Sequence, residues 1–286
     1  MLKIACFGQK GGVGKSTIAR LVAVSFARTG SRVKIVDLHA KQRTCLEWSA
    51  IRSSQSVAPV IVADLFEEPA RALHQTDLDI VVLDSGPHDA ATVLSTARDV
   101  DLVIIPTATS RDDLKPQVEF GLELNRQGVD RSRLLYVVNM ANGSETCIDE
   151  AKAYVRRHGF SVADTTLVHS ASYMNAHDVG RCIAETELAG LNEQSDALFR
   201  EVVDRIDRLA GGELLEDNSK RTTRLVDCNF KVAPGFHRAF KTAAALNRMS
   251  MRELLEVSVR SWISENCKDD PRIRMLCPEL FPDKSA

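Results

Sequence analysis

Long apolar runs are missing from this chain of 286 residues. No stretch approaches the roughly 18 apolar residues that a membrane span needs, which argues against a spanning protein. No charged leader precedes the first apolar run, so no secretory signal is expected. Paired cysteines are missing too. The seven cysteines, Cys6, Cys45, Cys147, Cys182, Cys228, Cys267 and Cys277, include no C-x-x-C pair. An odd, scattered set argues against a zinc or iron–sulfur role and predicts free thiols in a reducing cytoplasm. What is present is ordinary for a globular protein, with 44% hydrophobic and 27% charged residues. The length suits one large α/β domain plus a small second unit. Charge is divided unevenly. Residues 1–218 carry net −7 and residues 219–286 carry net +5, so the C-terminal end is expected to meet a polyanion.

The most informative stretch is Gln9-Lys10-Gly11-Gly12-Val13-Gly14-Lys15-Ser16-Thr17. It follows an apolar run from Leu2 to Phe7 and precedes Ile18 to Ala27, where apolar residues recur at helical spacing. Strand, glycine-rich loop, Gly-Lys-Ser and helix make the P-loop arrangement. Glycines let backbone N–H groups close around phosphate oxygens, and the helix N-terminus adds partial positive charge. Lys15 is placed to reach the β- and γ-phosphates of ATP, and the Ser16 hydroxyl to bind Mg²⁺.

Apolar strands recur at Arg32–Asp37, Ile80–Asp84, Leu102–Pro106 and Leu134–Asn139, with a weaker one around Thr166–Val168. Helical patterns lie between most of them. This predicts an α/β fold, a parallel sheet with helices on both faces, whose ligands sit beyond the carboxyl ends of the strands. Asp84 closes four apolar residues and fits a Walker B carboxylate, holding Mg²⁺ directly or through water. Helix 193–209 closes the domain, with Ala197, Leu198, Val202, Ile206 and Leu209 on one face.

The loop departs from the strict pattern, with Gln9 at the first glycine position and an added Lys10. This form resembles the deviant Walker A box of the ParA/MinD family of ATPases, and the resemblance covers about residues 1–210. It implies that Lys10 reaches across a dimer to the partner's nucleotide, while Lys15 acts within its own subunit. Asp37 then helps to place the attacking water; the other reading is an aspartate that caps the next helix. After Asp37 the family pattern Asp-x-Asp-Pro-Gln is broken by His39 and Ala40, with Lys41 or Gln42 at the glutamine. Residues 106–114 resemble a further family segment, with Thr109 for its second proline. Asn139 falls where the family reads the adenine edge, against the plainer reading of a turn asparagine. Residues 171–187 resemble a later segment through Gly180 and Glu185. The resemblance implies an ATPase with ATP and Mg²⁺ as ligands. No arginine finger or glutamine stands beside Asp37, so turnover is expected well below the ~10 s⁻¹ enzyme median.

Beyond 1–210, residues 211–223 read as a polar linker. Residues 224–267 hold an alternating strand around Cys228–Val232, then two amphipathic helices, the second opened by a capping box at Ser250–Glu253. Such a unit is too small to bury its faces alone, and pairing its strand with a second copy solves this. It resembles a ribbon-helix-helix domain. The resemblance implies that Asn229 and Lys231 face bases in the major groove, where Asn suits adenine and Lys suits guanine. Ser250, Met251 and Arg252 then hold phosphate at a helix N-terminus, with Arg224 along the backbone. The other reading is a helical dimerisation module that never touches DNA. The 268–286 tail is irregular.

The expectation is a homodimeric, cytoplasmic, nucleoid-associated DNA partition ATPase fused to its own DNA reader. It would work with or without a separate partition partner and without a membrane. The alternative is a nucleotide-gated transcriptional repressor that uses the same reader.

Overall fold

The computed structural model describes residues 1–39, 41–66, 77–86, 90–142, 144–212 and Ser258. The chain divides into two units, Met1–Ser219 and Lys220–Ala286. The expected ribbon-helix-helix unit, with Arg224, Asn229, Lys231, Ser250, Met251 and Arg252, lies outside the described residues except for Ser258. So do Ala40, the linker beyond Gly212 and the 268–286 tail.

In the first unit, near-continuous apolar strands line up side by side. The strands are β1 (Leu2–Cys6), β2 (Val33–Asp37), β3 (Val62–Leu65), β4 (Ile80–Asp84), β5 (Leu102–Thr107), β6 (Leu134–Val138) and β7 (Ser161–Val162). They form one sheet in the order β3-β2-β4-β1-β5-β6-β7, and every pairing is parallel. Side chains alternate between two cores. Ile4, Cys6, Ile35, Val82, Ile104 and Val137 face one. Ala5, Phe7, Val36, Val81, Leu83, Val103 and Ile105 face the other. The central strands are covered on both faces, which is why they read as near-continuous apolar runs.

The helices are α1 (Lys15–Arg28), α2 (Thr44–Ser54), α3 (Ala90–Ala97), α4 (Arg111–Arg126), α5 (Glu145–Arg157), α6 (Ala171–Asp178) and α7 (Ala189–Gly212). Ile18, Trp48, Tyr173 and Leu198 bring α1, α2, α6 and α7 to the first core. Val93, Val118 and Val155 bring α3, α4 and α5 to the second.

Three boundaries differ from expectation. β3 is an edge strand with Asp64 inside it, whose carboxylate takes a 2.8 Å bond from Lys34 on β2. A half-buried cross-strand ion pair breaks the apolar run that would have announced a strand. The last strand falls at Ser161–Val162 rather than 166–168, where only an isolated bridge joins Ala141 and Val168. α7 extends beyond 193–209 at both ends. The ~1 kcal/mol propensity cost of a glycine does not by itself end a helix at Gly211-Gly212.

The register sets up the site. Cys6 pairs with Asp84, and Asp37 pairs with the same residue from the other side. Three chemically distinct strand ends therefore share one edge of the sheet, directly below the loop that leaves β1.

Candidate nucleotide site

The loop from Gly8 to Gly14 crosses this edge and enters α1. Gly14 has φ 90°, and a Cβ there would lie 2.0 Å from Asn139 Nδ2. Both facts demand glycine. Asn139 Nδ2 donates to Val13 O at 2.8 Å, so this asparagine braces the loop. The start of the loop is held from the other side by Gln117 on α4, a buried residue that the sequence did not single out. Its Oε1 accepts Lys10 N at 3.2 Å, and its Nε2 donates to Pro106 O at 2.5 Å. A Cβ on Gly8 would come within 2.3 Å of that nitrogen. The only signal in the sequence was the amide at an apolar-spaced position of α4.

The N-terminus of α1 has no side-chain cap. By contrast Ser110, Ser144 and Ser170 cap α4, α5 and α6. The cap on α2 comes from a distance. Asp37 is fully buried, and its Oδ2 accepts the main-chain N–H groups of Cys45 at 2.8 Å and Leu46 at 3.3 Å. Its Oδ1 accepts His39 N at 2.9 Å. The described geometry is thus the capping arrangement. α1 is left with free donors and a positive end facing the loop, the arrangement that anions bind.

Lys15 is 6% exposed, and its Nζ donates to Lys10 O at 2.9 Å. Burial pulls its pKa below the ordinary lysine value, against the pull of Asp84. Lys10 points the other way, with its Nζ 3.6 Å from Asp113 on α4 and 41% of its side chain exposed. Asp113 is oriented in turn by Ser110 Oγ at 2.6 Å. The segment 106–114 therefore serves as a helix cap and a tether for Lys10.

Asp84 is 2% exposed. Cys45 Sγ donates to its Oδ2 at 3.1 Å, while Oδ1 is buried with no partner within ordinary hydrogen-bond length. Burial raises its pKa to about 6, although the nearby Ser16 hydroxyl and the Cys45 thiol favour the ionised form. The Cys45 thiol is itself pushed well up by burial and by Asp84, so it stays protonated and donates. An orphaned buried carboxylate oxygen beside a serine hydroxyl is a fitting donor set for Mg²⁺. Among the described residues no three acidic, His or Cys side chains converge on a metal. A hard cation here would take its other ligands from phosphate and water.

The raised pKa of Asp84 has a stability consequence whose sign is fixed. The folded state binds a proton more tightly than the unfolded chain between about pH 4 and pH 6. The nucleotide-free protein is therefore favoured at the acid end of that window and loses this contribution as pH rises through about 6. Asp84→Asn mimics the protonated form. It is expected to raise stability at pH 7.5, by on the order of 2–3 kcal/mol, and to change little at pH 4. Urea melts of the two proteins at both pH values check this.

Behind α2 lies a second buried polar cluster. Trp48 sits between Arg20, 5.3 Å from its ring centroid, and Arg52 at 5.4 Å. Arg52 is completely buried and bonds both oxygens of Glu185, at 2.7 and 2.9 Å. It also donates to the carbonyls of Ala58, Pro59 and Gly180. Gly180 must be glycine, since a Cβ would lie 2.4 Å from the Arg52 backbone. Gly180 and Glu185 therefore clamp α2. Arg52 gave no signal in the sequence. The arginines of the β6–β7 edge are also engaged locally. Arg131 bonds Asn125 and His158 O, Arg133 bonds Ala97 O and Arg98 O, and Arg156 bonds Asp164.

Four likenesses bear on this geometry. A protein-family model described as ATPase MipZ matches residues 3–119. The chromosome-partitioning ATPase Soj of Thermus thermophilus is 27% identical over 218 residues, covering 64% of this chain and 87% of that protein. The septum site-determining protein MinD of Pyrococcus horikoshii, solved with Mg-ADP, superimposes with TM-score 0.55 at 15% identity, over 72% of this chain and 97% of that one. A putative plasmid partition protein from Borrelia burgdorferi, solved with AMPPNP, gives 0.53 at 13% identity, over 74% and 99%. At such identities the structures speak for the fold alone, and the P-loop and the two sequence matches carry the rest. The chain has a P-loop α/β fold and is similar in sequence to the ATPases MipZ and Soj.

Proposed function

We propose that this chain is a DNA partition ATPase in which ATP pairs two N-terminal units and a C-terminal ribbon-helix-helix reader holds a chosen duplex. The observation that carries the first half is the opposite posture of the two lysines. Lys15 is inside its own loop. Lys10 stands at the rim, half exposed, on a 3.6 Å ion pair with Asp113. A partly exposed pair of that length is worth about 0–1 kcal/mol, so it is readily exchanged for the phosphate of a second copy.

Lys15, the amides of Gly11 to Thr17 and the free end of α1 hold the phosphates. Ser16 and Asp84 hold Mg²⁺, which when bound supplies charge neutralisation on the phosphate oxygens. Asp37 orients the attacking water once it is released from the amides of Cys45 and Leu46. Those bonds, together with the loss of the family pattern at His39 and Ala40, favour slow turnover. Asn139 keeps its loop contact and offers its carbonyl oxygen to the adenine edge. ATP thus favours the dimer and hydrolysis releases it, a switch driven by contacts that exist in one state only.

The second half rests on the net +5 charge of residues 219–286 and on the strand and helix pattern of 224–267. Asn229 and Lys231 read bases, and Arg224, Ser250, Met251 and Arg252 hold the backbone. The reading places the protein on the nucleoid, with bulk DNA and a separate partition protein as further partners. No helix among the described residues is long and apolar enough to cross a membrane.

The test combines two measurements. Wild-type protein is expected to elute as a dimer with ATP and as a monomer with ADP. Lys10→Ala is expected to bind ATP normally and remain monomeric, whereas an ATP-dependent dimer of this variant would remove the trans role. Selection of duplexes from a random pool is expected to enrich one motif, lost when residues 219–286 are deleted. Failure to enrich any motif would remove the reader, and arrays of that motif rather than a single palindrome distinguish partition from repression.

A further inference from the structure

Cys45 touches both carboxylates of the site. Its main-chain N–H donates to Asp37 Oδ2 at 2.8 Å, and its thiol donates to Asp84 Oδ2 at 3.1 Å. It is fully buried at the start of α2, between two strand ends that the sheet register holds side by side. The two oxygens of Asp84 are therefore not equivalent. Oδ2 has a donor, and Oδ1 is buried without one.

We propose that Cys45 is a positioning residue for Mg²⁺ binding: its thiol occupies Asp84 Oδ2 and so fixes the rotamer that leaves Oδ1 free for the ion or its water shell. The proposal rests on the reading of Asp84 as the Mg²⁺ carboxylate. A carboxylate hinged on one torsion needs a second anchor to present a chosen oxygen, and groups that orient a metal ligand tune affinity by about 10–100-fold. The Ser16 hydroxyl also favours the ionised Asp84, but the thiol is the donor that sits on Oδ2, at 3.1 Å, and so it is the anchor on the side away from Oδ1. The same residue feels any movement of Asp37, because its amide sits under that carboxylate. A change at the water-placing aspartate is thus passed to the metal-holding one through a single residue.

The test uses the full chain and a fluorescent, non-hydrolysable ATP analogue, with MgCl₂ as the titrant. Cys45→Ala is expected to raise the Mg²⁺ concentration at half-saturation about tenfold, while affinity for the analogue in EDTA stays unchanged. Cys45→Ser restores a hydroxyl donor and is expected to recover most of that loss, although it fills no more space than alanine plus one oxygen. A purely structural role would move stability for both variants and leave the Mg²⁺ requirement alone, so thermal melts are recorded beside each titration. Asp84→Asn separates the two ideas. If it leaves the Mg²⁺ requirement unchanged, Asp84 is not the metal carboxylate and the proposal fails with it. If Asp84→Asn shifts the requirement and a folded Cys45→Ala does not, the metal site stands and the role of Cys45 is overturned. Equal loss in Cys45→Ala and Cys45→Ser would overturn the donor role as well.

Discussion

Replacing Lys15 with alanine is expected to weaken Mg·ATP binding by about 100-fold or more and leave the fold intact. Truncating one partner of a desolvated charged contact costs about 2–5 kcal/mol, and Lys15 is 6% exposed beside the uncapped start of α1. The fold tolerates the change because in the nucleotide-free protein the ammonium has one main-chain partner, Lys10 O. Burial already pulls it toward the neutral form. Removing a poorly solvated cation therefore relieves about as much as it costs. Calorimetric titration with Mg·ATP and a thermal melt give the two halves of the result. Undiminished binding would mean that the phosphates lie elsewhere, and a collapsed melt would mean that Lys15 holds the loop together.

The largest effect on stability is expected at Arg52. Arg52→Ala strands Glu185, whose side chain is 8% exposed, and leaves three carbonyls without their donor. Breaking a buried pair from one side costs about 3–5 kcal/mol, a large share of the stability of a domain. Arg28 also reaches Glu185, at 3.0 Å, and softens the loss without replacing the fork of Arg52. The sign with pH follows from Glu185. Burial works to raise its pKa, but the Arg52 hydrogen bonds, the Cys182 N–H and the two arginine charges outweigh that and hold it low. The contribution of the pair is present at neutral pH and is lost as pH falls through the depressed pKa of Glu185. The gap between wild type and Arg52→Ala in urea midpoint is therefore wide at pH 7 and narrows in acid. A gap that stays constant would mean the cost comes from lost packing.

Legibility followed the range of the interaction. The P-loop was readable because its chemistry is contiguous: glycines, Lys15, Ser16 and a helix start in succession. The strands β1, β2, β4, β5 and β6 were readable because burial on both faces keeps them mostly apolar, with only Lys3 and Lys34 interrupting β1 and β2. β3 was hidden by Asp64, whose cost is offset by Lys34 on a different strand. Asp84 was readable as a strand-ending carboxylate, but the inequality of its two oxygens was not, since that depends on Cys45, 39 residues away. Gln117 and Arg52 are the clearest omissions. Each is a polar residue on a helix face, and its partners come from segments that only folding brings near.

By its order of residues alone the chain determined a glycine-rich loop between a buried strand and a helix, a parallel sheet, and a carboxylate at the end of a central strand. These depend on neighbours in sequence and on periodicity, which local sterics and burial translate directly into structure. The tertiary structure decided the rest. It turned Lys15 inward and Lys10 outward, placed Asp37 over the amides of α2, and left one oxygen of Asp84 free. Those outcomes depend on which buried donors meet which acceptors, and that pairing is set by sheet register and helix packing across the whole domain.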